Sequence, residues 1–520
     1  MTALVLPQHP KPFWAHVRSY RFCALIALVW LADWLFFERT PGLSVAVFAV
    51  ALAALALAMV QHGPSVTRVS WAGAALGAGL VPSLQVVNPL TFSIAMAGAI
   101  AFVLLVNRRL SSGLLAGLTV GLCFVAHLPG RFVIDLARYR KRPTRPKRTA
   151  TATSRVRGWV VPVSFSLLFA GLFAAANPMF ERWLGHLGSL SDASVFDLQR
   201  WGVWLLACLV CWPFLRLRGC KLPSDLVKDL RAMEPRLDGP RVTALISEPA
   251  VFRSLLLFNL LFALQNGLDA TYLWGGVTLP DGMTYAGYAH RGAYTLIGTA
   301  LLAAGFVLFT TRQGAPAEHS LRARWLLLLW TAQNALLVQY CVLRLNLYVD
   351  VYALTYWRVA AFAWMGLVFA GLVLIFAKFA WDRSAKWLVE ANLICAMLVL
   401  YGIANLNLPE LIANHNVRVS EPGEKTKVVD PVYLAALGPA ALPAIDTVLA
   451  APDAYTLDHS TRSEISALAL LKLKRAQLVH QVRIQATDWR GWGWRHARTR
   501  AYLNKRHAPS QMLPWRVSPH

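Results

Sequence analysis

Of 520 residues, 57% are apolar and 15% are charged, where a soluble domain carries about a quarter charged residues. The net charge of +25 would suit nucleic acid if it covered a soluble domain. Much of it instead stands in loops beside apolar runs, where lysine and arginine set topology and meet anionic lipid headgroups. Composition therefore argues against a soluble globular domain and against nucleic acid as a partner. It predicts an all-α, polytopic membrane bundle, because the apolar residues come in runs of about 17–22, enough to cross ~30 Å of hydrocarbon as a helix.

The chain opens with Lys11, Arg18 and Arg21 ahead of FCALIALVWLADWLFF. This has the charged and apolar parts of a signal peptide but ends in FFERTPG, without the small residues cleavage needs, and so reads as a retained first span. Spans at 43–60, 70–87 and 90–106 complete a first block of four in residues 1–110. Residues 111–158 form a second block. Its apolar part, 111–130, leads straight into ten lysines and arginines between Arg131 and Arg157. Residues 159–404 hold seven more spans, at 159–175, 201–215, 251–272, 293–310, 325–343, 359–379 and 387–403, with outer loops at 275–292 and 344–358. The total is eleven, or twelve if 111–130 crosses.

The positive-inside rule favours eleven with a cytoplasmic N-terminus. Inside loops then collect Arg68, Arg108, Arg109, the Arg131–Arg157 cluster, seven basic residues from Arg216 to Arg241, and Arg312, Arg322, Arg324, Arg383 and Lys386. Outside loops keep Arg39, Arg182, Arg200, Arg291, Arg344 and Arg358. Residues 111–130 become an interfacial or re-entrant helix. A twelfth span would strand Arg18, Arg21, Arg108 and Arg109 outside. The expected location is a bacterial inner membrane, with the bilayer and the anionic headgroups beside the basic loops as partners.

Residues 405–520 are expected as an extracytoplasmic helical tail. Thr461 to Glu464 form a capping-box pattern ahead of a helix with Ile465, Leu468, Leu471, Leu478 and Val482 on one face. A second, basic helix is expected over 488–503.

An ionisable group in hydrocarbon costs about 2.5–3.5 kcal/mol, so each needs a partner or a use. Asp33, near the outer boundary of the first span, is expected to reach headgroup water. Gln265, Asp269 and Tyr272 share a helix face at i, i+4 and i+7, with Asn266 and Gly267 beside them, and read either as interhelical glue or as a functional site. Gln333, Asn334 and Gln339 read as glue. Glu390 is expected to pair with Lys386, one turn earlier. In the outer loop LPDGMTYAGYAHRGAY, Pro280 and Gly282 build a turn and the tyrosines suit an interfacial belt, whereas His290 and Arg291 are not explained by anchoring. The second outer segment, RLNLYVDVYALTYWR, offers Asp350 to Arg344 or Arg358 beside Tyr348, Tyr352, Tyr356 and Trp357.

No cofactor or metal is expected. Cys208 and Cys211 read CLVC inside an apolar helix without a second Cys or His pair, and are taken as packing residues. A Gly-rich phosphate loop, a His-Glu-x-x-His helix and a Gly-x-Ser-x-Gly elbow are all missing.

YLWGGVTLPDGMTYAGYAHRGAYTLIGTALL, LYVDVYALTYWRVAAFAWM, YLAALGPAALPAI and DWRGWGWRHAR resemble a family of bacterial membrane proteins, domain of unknown function 4173, a relative of the similar family 4153. The early ADWLFFERTPGLSVAVFAVAL is similar too. The resemblance implies an integral inner-membrane protein of unassigned activity and transfers no catalytic residues. The candidate polar site comprises Asp269, Gln265, His290, Arg291, Asp350, Tyr352, Arg358 and Glu390. Two functions fit it: a transport-like or envelope-associated protein with an outer polar vestibule, or a transferase acting on a lipid-linked substrate with Asp269 or Asp350 as base and His290 as acid. Whether the chain is an enzyme stays open at this point, as do its substrate and protein partners.

Overall fold

A computed structural model describes residues 14–60, 63–109, 113–140, 198–217, 248–274, 298, 302, 320–420, 428–457, 466–485 and 488–506. Among them the named elements are all helices, and the β contact given is an isolated bridge between Val429 and Leu457. The helices are α1 (Trp14–Phe36), α2 (Leu43–Ala58), α3 (Val66–Gln85), α4 (Pro89–Val106), α5 (Leu114–Arg140), α6 (Leu198–Leu215), α7 (Glu248–Trp274) and α8 (Leu321–Tyr352). They continue with α9 (Tyr356–Ala380), α10 (Ala385–Asn405), α11 (Leu408–Val419), α12 (Pro431–Ala436), α13 (Leu442–Ala450), α14 (Ala467–Gln485) and α15 (Trp494–Arg506). The chain is a polytopic helical membrane bundle. Among the described residues five helices, α4, α7, α8, α9 and α10, are both long and apolar enough to cross a bilayer. The span expected at 159–175 lies outside the described residues, as do the span at 293–310 apart from residues 298 and 302, the Thr461–Glu464 capping pattern, Ile465, His290 and Arg291.

Two units divide the chain: residues 1–227 with 485–494, and residues 228–484 with 495–520. In the first, α3 and α4 pack tightly because small residues let their backbones meet. A Cβ on Gly98 would stand 3.0 Å from Ala75 O and from Gly79 Cα. Asn88 starts α4 by a reciprocal cap, its Oδ1 accepting from Thr91 N–H while Thr91 Oγ1 accepts from Asn88 N–H, both at 2.9 Å.

Helix α6 runs antiparallel to α1. Arg200 near its start meets Asp33 near the end of α1, and Trp212 near its end meets Phe22 near the start of α1, with ring centroids 5.1 Å apart. The ends of α2, α4 and α6 gather with Arg21 at the end where α1 begins. The chain therefore leaves α4 at one end of this unit and enters α6 at the other. Helix α5 does not run beside α6. Phe124, Phe132 and Asp135, spread over about 16 Å of α5 at 1.5 Å per residue, all meet Trp212, Phe214 or Arg216 in the last turn of α6 and just beyond it. It crosses the end of α6.

At the opposite end, the segment Asp488–Trp492 docks on the α1–α2 connection. Leu43 N–H donates to Trp492 O at 2.8 Å, Arg39 pairs with Asp488 at 3.3 Å, and the Arg490 guanidinium lies 4.4 Å from the Trp34 ring centroid. Backbone contact here demands glycine: a Cβ on Gly42 would stand 2.4 Å from Gly491 C.

In the second unit α7 to α10 form the membrane part. Val251, Leu255, Leu327, Trp330, Leu372, Ile375 and Leu388 make its core. Ile412, Ala413, Ile445, Val448 and Leu471 pack a separate tail core together with Val349 and Leu354. Burying each Ile or Leu there from water contributes about 1.5–3 kcal/mol. On α14 the predicted face points inward, with Leu471 and Val482 buried and Leu468 and Leu478 half-buried. The expected outer loop 344–358 is corrected. Helix α8 continues to Tyr352, leaving 353–355 as the connection. Charged residues end an apolar run but not a helix, and Val349 packing into the tail core sustains these turns.

Candidate functional site

Asp269 is buried, and its Oδ1 accepts from Arg344 Nη2, the two side chains being 5% and 8% exposed. The pair closes a polar seam between α7 and α8. Along it, Asn259 Nδ2 donates to Leu326 O at 3.0 Å, Asn266 Nδ2 to Gln333 O at 3.2 Å, and Gln333 Nε2 to Asn259 Oδ1 at 3.3 Å. The offset is 67 residues at both backbone contacts, so α7 and α8 run parallel. Three acceptor oxygens in the seam, Asn266 Oδ1, Gln333 Oε1 and Asp269 Oδ2, are buried without a hydrogen-bond partner among the described residues. Gln265 is exposed, so the expected Gln265–Asp269 face is split. The buried face instead carries Asn259, Asn266 and Asp269.

Arg344 is the partner of Asp269, not of Asp350, to which the sequence offered either Arg344 or Arg358. Asp350 is exposed and makes no ion pair among the described residues. Arg358 turns to the α8–α9 connection. Its Nη1 donates to Tyr352 O at 2.5 Å and to Ala353 O, and its guanidinium lies 4.2 Å from the Tyr348 ring centroid. These contacts take up carbonyls that a helix C-terminus leaves unpaired. Asn416 holds the same turn from α11, accepting from Leu354 N–H at 2.7 Å and donating to Leu354 O at 3.0 Å. Tyr352 and Arg358 thus belong to a turn clamp, with Tyr352 serving through its carbonyl.

Two further expectations are corrected. Glu390 does not pair with Lys386, which is exposed, while Glu390 Oε1 is buried without a hydrogen-bond partner among the described residues. Asp33 does not rely on headgroup water. Arg200 grips it in a fork, Nε to Oδ1 at 2.8 Å and Nη2 to Oδ2 at 2.6 Å, and Trp204 Nε1 donates at 2.8 Å.

A family model, the domain of unknown function DUF4153, matches residues 22–448. The chain belongs to DUF4153. The resemblance to family 4173 pointed to its relative, and the match covers every candidate residue. No curated protein and no solved structure matches the chain.

The DUF4153 match stops two residues past Asp446, yet Asp446 draws its partners from beyond it. This carboxylate is 2% exposed. Arg475 binds it through Nε and Nη2, Tyr502 donates to Oδ2 at 2.8 Å, and Arg506 Nη1 lies 2.6 Å from Oδ2. Burial pushes its pKa up, but the hydrogen bonds from Arg475 and Tyr502 and the two positive charges outweigh that, leaving it below its ordinary value. Burial and the bond to Asp446 hold the Tyr502 phenol above its own ordinary value. The sequence reading missed this cluster, and it missed Asn259 and Asn416, because each partner comes from a distant helix. The one available signal was an isolated Asp in the apolar run LPAIDTVLA.

Proposed function

We propose that this DUF4153 protein is a transport-like inner-membrane protein that passes a small hydrogen-bond-donating solute, or protons, along the α7–α8 seam. The observation that carries this reading is the set of three buried acceptors without donors among the described residues, beside the Asp269–Arg344 pair. A buried acceptor left unmet costs about 1–3 kcal/mol, and a permeating donor supplies what the helices withhold. Arg344 anchors one carboxylate oxygen and leaves the other to the solute.

The topology belongs to the same proposal, with a cytoplasmic N-terminus and an extracytoplasmic tail. The reversal between α4 and α6 supports an odd number of crossings in 110–197, which span 159–175 alone supplies with 111–130 interfacial. Parallel α7 and α8 likewise need a return between them, which the span expected at 293–310 supplies. The dock of Asp488–Trp492 on the α1–α2 connection supports a common side for both, as eleven spans require.

Purified protein in liposomes loaded with a pH-sensitive dye tests the function, with methylammonium and a proton gradient as separate probes. Flux above that of empty vesicles, abolished by Asp269→Asn with the protein still inserted, is the expected result. Vesicles that pass neither probe would overturn the reading.

A further inference from the structure

At the end of the first unit where α1 begins, a cavity of about 500 Å³ opens among Arg21, the last residues of α2, the end of α4 and the end of α6. Four arginines line it: Arg21, Arg108, Arg109 and Arg216. No Asp or Glu is among the lining residues. Arg216 Nη1 also lies 3.4 Å from Asp135 Oδ2, which balances part of one charge, while Arg108 and Arg109 make no ion pair among the described residues. Asn107 also lines it, beside the apolar Ala56, Met59, Val60, Val106, Phe214 and Leu215. Its volume lies in the range of small-molecule sites, about 300–1,000 Å³.

The backbone at Arg108 adds a second, independent observation. Helix α4 ends in a Schellman turn, with Arg109 N–H donating to Leu104 O at 2.9 Å and Arg108 N–H to Leu105 O at 3.2 Å. The residue at the centre of such a turn takes a left-handed conformation, and glycine normally fills it. Here the position has φ 54° and holds an arginine. Glycine would hold this turn without strain, and the Arg108 found there is exposed and lines the cavity.

We propose that this cavity binds the phosphate group of an anionic headgroup, with Arg108 and Arg109 as its main contacts. Guanidinium forks match phosphate oxygens in pairs. The apolar side chains in the wall suit the first carbons of a lipid rather than a free ion. The site is separate from the α7–α8 seam and stands whether or not that seam conducts.

Full-length protein in neutral detergent tests the site through the rise in unfolding temperature on adding phosphatidylglycerol, phosphatidylcholine or inorganic phosphate at matched ionic strength. Phosphatidylglycerol is expected to bind and phosphatidylcholine to bind far more weakly. Each arginine removed should weaken binding about fivefold, so Arg108→Gly with Arg109→Gln should lose roughly 25-fold. Arg108→Gly alone relieves the backbone and should unfold no earlier than the parent, which separates lost binding from lost folding. Arg322→Gln, an exposed arginine in the other unit, should change nothing. A response to inorganic phosphate equal to that of the lipid, lost in the same variants, supports the phosphate site with a soluble source. Undiminished phosphatidylglycerol binding by the double variant, or an equal loss in Arg322→Gln, overturns the proposal.

Discussion

Breaking the Asp269–Arg344 pair from either side should cost more than removing it whole. Both side chains are almost fully buried, so Arg344→Met leaves a carboxylate, and Asp269→Leu a guanidinium, without its counter-charge. Each single change should destabilise by about 3–5 kcal/mol. The double variant replaces the pair with apolar groups and should fall within about 1 kcal/mol of the parent. The cycle then shows a coupling energy of several kcal/mol, since the two single losses sum to about 6–10 kcal/mol. SDS-titrated unfolding of purified protein in mixed micelles reads these free energies directly. Additive losses, with the double variant as weak as the two singles together, would refute the argument that the charges answer one another.

Acid should loosen the tail. The folded-state pKa of Asp446 lies below its unfolded value of 3.8, so its contribution is complete above that value and is lost as pH falls through the lower folded value. Hydrogen exchange in α13, α14 and α15 of the intact protein should therefore speed up below about pH 4, and Asp446→Asn should remove that dependence. Asn416→Ala strips both partners from the backbone of Leu354 and should cost about 1–3 kcal/mol, seen as faster exchange across 353–356 with α9 unchanged. Gly98→Val places a side chain against Ala75 O and Gly79 Cα, forcing α3 from α4 at about 1–3 kcal/mol, measured by the same SDS titration.

Helix positions were legible because long apolar runs and their flanking charges are local signals. The expected spans at 43–60, 90–106 and 359–379 fall on α2, α4 and α9 within a few residues. The inward face of α14 was equally plain from its spacing. Local signals also misled. Arg344 and Asp350 interrupt the hydropathy of α8 and were read as a loop, although the helix runs on under the tail core. Pairings stayed hidden because register between helices is set by packing across long separations. Asp269 and Arg344 are 75 residues apart, and Asp33 and Arg200 are 167 apart. The DWRGWGW run was conspicuous, but nothing in it named the ERTPG connection on which it docks.

That dock holds Asp488–Trp492 against the α1–α2 connection, and a disulfide reports it most directly. A Cβ at Gly491 stands 3.5 Å from Thr40 Cβ, inside the span of about 3.5–4.5 Å that a disulfide bridges. In a background lacking the seven native cysteines, Thr40→Cys with Gly491→Cys should form a bond in cells, seen as a mobility shift reversed by reductant. Two thiols that stay reduced, with only one of them labelled by an impermeant maleimide added outside, would place the α1–α2 connection and the tail on opposite sides and contradict the account.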